Sequence, residues 1–232
     1  MVEFKAIYAS QAEKYDRLVA HEDCKGNILP ALTQIRQLVG MDVIELGAGT
    51  GRLTSLLAPL VNSIVAFDNS AHMLAVAKSR LAAEGWQNWA LAVADNRRLP
   101  VATATADVAI AGWSLGHLVG WYPQTWRDEV GLALAEMKRI CRSGGAVILL
   151  ETQGTGRDTP QPPASWLADF YRWLETEHGF NTTWIRTDYR FASVEQAADL
   201  TRFFFGNELA DEIIRHRMTV LPECTGIWWL AV

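Results

Sequence analysis

Short apolar runs separated by amphipathic segments dominate the first two thirds of the chain. Five runs that are apolar almost throughout predict strands, at 41–46, 63–67, 89–94, 107–112 and 146–150. Apolar residues at helical spacing predict helices at 50–60, at 70–84, and from Thr125 to a stop at Ser143-Gly144-Gly145. Apolar strands alternating with helices favour a parallel sheet buried on both faces, so the pattern predicts a doubly wound α/β fold.

The two ends of the chain follow other patterns. The pattern over residues 2–39 predicts an N-terminal helical segment that ends at Gly40. Glycines and prolines make 152–164 a long loop, which in a compact domain is often functional. Beyond the loop we predict helices at 166–177, 193–205 and 207–217 and strands at 182–191 and 225–232. Since no repeat or long linker interrupts these elements, residues 1–232 are predicted to form a single domain.

The turn after the first strand carries the most informative motif. In Glu45-Leu46-Gly47-Ala48-Gly49-Thr50-Gly51-Arg52, three alternating glycines allow a ligand to press against the main chain. The next strand ends at Asp68, where a carboxylate can accept both hydroxyls of a ribose. The dinucleotide fingerprint places its third glycine one residue later, and Glu45 is unfavourable beside a pyrophosphate. The motif therefore indicates a nucleoside ligand that brings a cation, such as an α-amino group or a sulfonium.

Composition and charge exclude several classes of partner. The net charge is −5 and no run of Lys or Arg exceeds two residues, so we predict no nucleic-acid partner. The three cysteines are far apart and form no Cys-x-x-Cys pair, so we predict no metal site and a reducing, cytoplasmic location. No apolar run is long enough to span a membrane, and the first residues do not form a signal peptide.

Four signals together resemble the class I S-adenosylmethionine-dependent methyltransferases. They are Val43 to Gly51, Val65 to Ser70 with Met73, Ala94 to Asn96 with Leu99-Pro100, and Met137 to Gly145. The resemblance implies a Rossmann-like, doubly wound sheet of seven strands with the last strand antiparallel, and an N-terminal helical lid. It also implies methyl transfer from S-adenosylmethionine to a small-molecule acceptor by direct in-line displacement, with S-adenosylhomocysteine as the product. The domain would then comprise a lid at 1–40, a cofactor-binding core at 41–151, and substrate-side additions with the final strands at 152–232.

The resemblance further implies a role for each matched residue of a cofactor site. In that site Gly47, Ala48 and Gly49 lie under the methionine moiety, Glu45 suits its positive charge, and Trp113 faces the sulfonium. Asp68 binds the ribose, and Asn69 and Met73 border the adenine. Asp95 accepts a hydrogen bond from the adenine amino group, Asn96 offers a backbone amide to the ring, and Tyr15, in the Tyr15-Asp16 pair, covers the cofactor. Structural alternatives stay open: Asp68 as a helix cap, Asp95 as a turn residue, and Met73 and Tyr15 as packing residues.

A general base is required only if the acceptor loses a proton. His117 is the first candidate, because it follows Trp113 on the predicted loop after the fourth strand, and Glu151 at the end of the fifth strand is the second. The tryptophans that are concentrated after residue 112 either pack the core or line a pocket for an aromatic or apolar acceptor. Gly112-Trp113-Ser114-Leu115 departs from the Asn/Asp-Pro-Pro-Tyr motif of the family's DNA amino-methyltransferases.

Two other functions stay open. One is an NAD(P)-dependent oxidoreductase, which Arg52 and Glu45 disfavour. The other is a non-catalytic protein of the same fold that binds S-adenosylmethionine or S-adenosylhomocysteine, because a fold does not fix a function.

Overall fold

Seven strands form the central sheet of the computed structural model, which describes residues 4–232. Their order across the sheet is β3-β2-β1-β4-β5-β9-β6. The strands are β1 (Asp42–Leu46), β2 (Ser63–Asp68), β3 (Trp89–Val93), β4 (Ala106–Gly112), β5 (Cys141–Thr155), β6 (Asn181–Arg186) and β9 (Glu223–Ala231). The short strands β7 (Tyr189–Arg190) and β8 (Val220–Leu221) pair with each other outside this sheet.

The direction of the last strand confirms the fold that the resemblance implies. Strands β1 to β5 pair in parallel, whereas β9 is antiparallel to both β5 and β6. The sheet is therefore a doubly wound α/β sheet of seven strands with its last strand reversed. Because parallel strands present their carboxyl ends at one edge, the turns after β1, β2 and β4 come together there.

Helices cover both faces of the sheet. They are α1 (Phe4–Ser10), α2 (Ala12–Val19), α3 (Ile28–Ile35), α4 (Arg52–Leu57), α5 (Ala71–Glu84), α6 (Leu115–Trp121), α7 (Trp126–Ile140), α8 (Ser165–Thr176), α9 (Val194–Phe205) and α10 (Asn207–His216). Local sequence explains some of their ends. Ser70 caps α5 by accepting a hydrogen bond from the amide of Met73 at 3.3 Å, and Gly85 ends that helix in the left-handed conformation.

The core has one apolar layer on each face of the sheet. Along β4, Val108 and Ile110 pack with α3 and α4, whereas Ala109 and Ala111 face the layer that includes α7 and α8. This alternation follows from the two-residue period of a strand. A third apolar cluster joins Leu18 of α2 to residues of α9 and α10, so the N-terminal helices pack against the C-terminal additions. None of the helices in the described part of the chain combines the length and apolar character needed to cross a membrane.

Three predicted segments are wrong in detail. The segment after β4, interpreted as a loop, contains α6. The predicted strand 182–191 divides into β6 and β7, because the carbonyls of Thr187 and Asp188 accept hydrogen bonds from the amides of Asp23 and Cys24 instead of continuing a strand ladder. The fifth strand begins at Cys141 rather than 146 and continues to Thr155, so it takes up the start of the predicted loop. The predicted lid at 1–40 contains α1, α2 and α3, and its first three residues lie outside the described range.

Candidate functional site

A pocket of about 420 Å³ lies at the carboxyl edge of the sheet, beneath α1 and α2. The residues that the resemblance placed in a cofactor site all line this pocket, as does His117: Tyr15, Glu45, Gly47, Ala48, Gly49, Asp68, Asn69, Met73, Asp95, Asn96, Trp113 and His117. The parallel strand order explains the convergence, since most of these residues follow β1, β2, β3 or β4. The structure also adds residues that the sequence analysis did not assign to a site, including Tyr8, Arg52, Arg97 and Trp121.

The glycine-rich turn is packed so closely that it excludes a side chain at its first position. Gly47 has a φ of 71°, and a β-carbon there would lie 2.4 Å from Cβ and 2.7 Å from Oγ of Ser114. At Gly49, a β-carbon would lie 3.4 Å from the methyl group of Met73. The turn after β1 therefore lies directly against the turn after β4, and its main chain forms part of the pocket wall.

Backbone donors orient the carboxylate of Asp68 at the end of β2. Its Oδ2 accepts a hydrogen bond from the amide of Gly49 and its Oδ1 accepts one from the amide of Ser70, both at 2.8 Å. Burial raises the pKa of this carboxyl group, and the backbone amides oppose that shift. Each oxygen has a second lone pair, so the group can accept further hydrogen bonds from a ligand. Asp68 does not itself cap α5, because Ser70 does.

Several buried polar atoms in and beside the glycine-rich turn have spare hydrogen-bonding capacity. Within residues 4–232, Oδ1 of Asn96 and Oγ1 of Thr50 are buried without a hydrogen-bond partner. Glu45 accepts a hydrogen bond from the hydroxyl of Thr54 at 2.5 Å, and burial raises the pKa of its carboxyl group to about 8. Native proteins rarely leave buried polar atoms unpaired, so this part of the pocket suits a polar ligand.

Asp95 is already paired with a cation. Nε and Nη2 of Arg97 donate to its two oxygens at 2.9 and 2.5 Å, and this pairing lowers the pKa of Asp95 below its ordinary value. Nη1 of Arg97 donates to Glu129 of α7 at 2.5 Å. The predicted contact between Asp95 and an adenine amino group therefore depends on the remaining lone pairs of the carboxylate and stays a prediction.

Trp113 contacts a cation that the sequence analysis did not assign to the site. The guanidinium carbon of Arg52 lies 3.6 Å from the centroid of the Trp113 ring, and Nη1 of Arg52 pairs with Glu22. Trp113 has a φ of 50°, which is unusual for a bulky residue and indicates local strain. In the sequence, Arg52 was notable because it stands where the dinucleotide fingerprint has its third glycine. Its partner is 30 residues away in the chain, so local sequence carries no signal for the pair.

His117 lies on α6 under an aromatic cover. Its Nε2 is 2.8 Å from the hydroxyl of Tyr8, and its ring stacks on that of Trp121 with centroids 5.3 Å apart. Burial lowers the pKa of His117 to about 4, so the ring is neutral at pH 7. Tyr15 packs edge-on against Tyr8 at 5.5 Å, which places both tyrosines of α1 and α2 over the pocket.

Glu151 has a different position from the one expected of a candidate base. It does not belong to the described residues that line the pocket. One of its oxygens accepts a hydrogen bond from the amide of Gly116 at 2.8 Å, at the start of α6. Burial raises the pKa of this carboxyl group to about 7. Glu151 therefore satisfies the first amides of α6 and supports His117 only through that helix. Across the described residues, no group of three or more His, Cys, Asp or Glu side chains is placed to hold a metal ion.

Comparison with known proteins gives the same family. Residues 44–149 match the family model described as "Methyltransferase domain". The chain is 30% identical over 156 residues to the ubiquinone/menaquinone biosynthesis C-methyltransferase UbiE of Coxiella burnetii. That alignment covers 63% of this chain and 58% of the relative. It is 26% identical over 151 residues to the malonyl-[acyl-carrier protein] O-methyltransferase of Buchnera aphidicola. That alignment covers 64% of this chain and 55% of the relative.

A solved structure shares the whole fold. The S-adenosylmethionine-dependent methyltransferase of Aquifex aeolicus has a TM-score of 0.59 and 15% identity, with 97% of this chain and 98% of that chain covered. At this identity the likeness concerns the fold alone. The chain spans less than two thirds of the length of either relative above.

Proposed function

We propose that this chain transfers a methyl group from S-adenosylmethionine to a small-molecule acceptor, because residues 44–149 match a methyltransferase-domain family model and the sequence signals resemble class I S-adenosylmethionine-dependent methyltransferases. The observation that carries the proposal is the pocket in which the glycine-rich turn, Asp68 and Asn96 meet. A pocket of about 420 Å³ is within the size range of small-molecule sites, roughly 300–1,000 Å³.

The polar groups of the pocket fit the parts of this cofactor. The backbone-oriented carboxylate of Asp68 has lone pairs for two ribose hydroxyls. The unpaired Oδ1 of Asn96 offers an acceptor beside the glycine-rich turn. Met73 supplies an apolar wall, and its methyl group approaches Gly49. We assign Glu45 to the positively charged α-amino group of the methionine moiety, because that charge would oppose the burial that raises the pKa of this carboxyl group and would favour its ionised form.

The chemistry places modest demands on the protein. The sulfonium of S-adenosylmethionine supplies an activated methyl group, so the chain has to align the acceptor with it and exclude water. Alignment would come from the closely packed turns after β1 and β4, and exclusion of water from Tyr8 and Tyr15.

We place the acceptor beside α6. The wall there is aromatic and carries little charge: His117 is neutral at pH 7, and Tyr8 and Trp121 flank it. This environment favours an aromatic or apolar acceptor. A neutral imidazole can accept a proton from a hydroxyl or amine once the Tyr8 hydroxyl gives up its contact with Nε2.

The same contact is the observation that favours a second candidate function. Because Nε2 of His117 already bonds with Tyr8, the pocket could hold the cofactor without a base available for the acceptor. A non-catalytic protein that binds S-adenosylmethionine or S-adenosylhomocysteine would have this arrangement. The oxidoreductase alternative has no such support, because Arg52, which lines the pocket and pairs with Glu22, stands where the dinucleotide fingerprint has its third glycine.

Calorimetry with S-adenosylmethionine and S-adenosylhomocysteine tests the binding step. Asp68→Ala is expected to weaken both ligands by about tenfold or more, because a hydrogen bond to a charged group contributes roughly 1.5–3 kcal/mol. Asp169→Ala on α8 is the matched control, since that side chain is 56% exposed and its ion pair within residues 4–232 is with Arg172. Thermal unfolding without ligand checks that each variant is folded. Equal affinities for Asp68→Ala and the parent would refute the ribose assignment.

A screen of small acceptors then separates the two candidate functions. Catalysis releases S-adenosylhomocysteine only when an acceptor is present, and mass spectrometry of that acceptor shows a gain of one methyl group. Tight cofactor binding with no turnover on aromatic phenols, amines, thiols and carboxylic acids would favour the non-catalytic function.

A further inference from the structure

Arg52 lies in the pocket with part of its guanidinium group unused. Among the described residues its hydrogen bonds are limited to the one from Nη1 to Glu22. Nε and Nη2 therefore lack a protein acceptor within residues 4–232. The side chain is 17% exposed and lines the pocket, so a ligand in the pocket can reach those donors. A ligand carboxylate there would accept charge-assisted hydrogen bonds from them.

Arg97 provides the contrast within the same pocket. All of its guanidinium nitrogens donate to carboxylates, Nε and Nη2 to Asp95 and Nη1 to Glu129. His117 is neutral at pH 7. Of the described basic residues that line the pocket, Arg52 is thus the one whose guanidinium has nitrogens without a protein acceptor.

The surroundings of Arg52 hold its plane while leaving an edge open. The ring of Trp113 covers one face of the guanidinium at 3.6 Å, and Glu22 takes one nitrogen along the edge. Glu22 is held in turn by the hydroxyl of Tyr189 at 2.9 Å. The N–H groups of an arginine lie in the plane of the guanidinium, so stacking on its face does not consume them. A fixed edge of this kind matches the two oxygens of a carboxylate.

Chain geometry brings this edge to the glycine-rich turn. Gly51 has a φ of 81° and ends the turn, so Arg52 is the first residue of α4. Glu45, at the start of the turn, lines the same pocket. One turn therefore presents a carboxyl group and a guanidinium, which complement the ammonium and carboxylate of an amino acid.

We propose that Arg52, with its plane fixed by Trp113, binds the α-carboxylate of the methionine moiety of S-adenosylmethionine. This inference rests on the proposed function and assigns one of its contacts. A carboxylate on the acceptor would have the same chemistry, so the experiment separates the two sources.

The test compares S-adenosylhomocysteine with 5′-methylthioadenosine, which has the adenosine and sulfur but lacks the amino acid. Calorimetry gives the ratio of the two dissociation constants for each protein. Arg52→Gln is expected to weaken S-adenosylhomocysteine by about tenfold or more while changing methylthioadenosine by less than about twofold. Arg97→Gln is the matched control: it alters a pocket arginine near the adenosine end, so it should change both ligands equally and leave their ratio unchanged.

A second variant predicts a change of the opposite sign. Glu22→Gln removes the carboxylate that competes for Arg52, so it should tighten S-adenosylhomocysteine relative to methylthioadenosine by about twofold or more. This variant decides the matter if Arg52→Gln does not fold, because an unchanged or lower ratio in Glu22→Gln would then overturn the inference.

The remaining outcomes are distinct. If the parent binds both ligands equally, or if Arg52→Gln leaves their ratio unchanged, Arg52 does not bind the cofactor's carboxylate, although the proposed function stands. An unchanged ratio together with lost turnover on carboxylate acceptors would reassign Arg52 to the acceptor and also overturn the inference. If the parent binds neither ligand, the proposed function itself fails.

Discussion

Replacing Gly47 with alanine should damage both the fold and the pocket, for two reasons that can be measured separately. The residue has a φ of 71°, and the left-handed conformation costs an alanine about 1–2 kcal/mol. Its new β-carbon would also lie 2.4 Å from Cβ of Ser114, which is part of the facing turn and cannot rotate away. Overpacking of this kind costs about 1–3 kcal/mol, so Gly47→Ala should lose about 2–5 kcal/mol of unfolding free energy.

Gly40→Ala is the matched control for the backbone term. Gly40 has a φ of 76°, and a β-carbon there would meet no atom within 4 Å. Urea unfolding of the two variants therefore isolates the contact with Ser114 as the difference between their losses of stability. Calorimetry with S-adenosylhomocysteine should show impaired binding in Gly47→Ala alone, since Gly40 is not a pocket residue.

A compensating change provides the strictest check. In Gly47→Ala/Ser114→Gly, the facing β-carbon and hydroxyl are removed, which should recover part of the loss with a coupling energy of about 1–3 kcal/mol. The recovery is offset by about 1 kcal/mol for the lost hydrogen bond from Ser114 Oγ to the carbonyl of Leu46. The reasoning is refuted if Gly47→Ala is no less stable than Gly40→Ala, or if the double variant shows no coupling.

Two pH-dependent predictions concern the groups around α6. Burial depresses the pKa of His117 from 6.5 to about 4, so stability should decrease as the pH falls from 6.5 towards 4, and His117→Gln should flatten that slope in urea unfolding. Glu151→Ala leaves the amide of Gly116 without its acceptor and should cost about 1–3 kcal/mol at pH 6. Because burial raises the pKa of Glu151 from 4.5 to about 7, the parent loses stability as the pH rises from 4.5 through about 7, so the cost of Glu151→Ala should be smaller at pH 8.5 than at pH 6; an equal or larger cost there would contradict this account.

The parts of the fold that local sequence determines could be predicted. Apolar runs located β1 to β4, and the helical spacing of apolar residues over 70–84 located α5. The pocket residues could be grouped for a topological reason: parallel strands end at one edge, so residues that follow separate strands come together without any local signal of their proximity.

The parts that were missed depend on contacts between distant segments. Residues 115–121 include two glycines, which lower helix propensity, yet α6 forms because Glu151 of β5 accepts the amide of Gly116. The break between β6 and β7 is likewise set by Asp188, which accepts hydrogen bonds from Arg186 and from the amide of Glu223. Alternation within 182–191 gives no hint of such a partner.

The position of β9 affects how the protein folds as it is synthesised. Among the strands of residues 4–232 it comes last in sequence, yet it lies between β5 and β6 and is the one strand of the sheet with which β6 pairs. A ribosome-bound chain that has released residues 1–200 would carry β6 with its edge unpaired and the place beside β5 vacant. Glu223 of β9 also bonds with Thr152 of β5 and Thr187 before β7, so these contacts, too, await the final segment. Completion of the sheet therefore waits for the synthesis of residues 223–231, and until then chaperones would encounter an unpaired edge on β6.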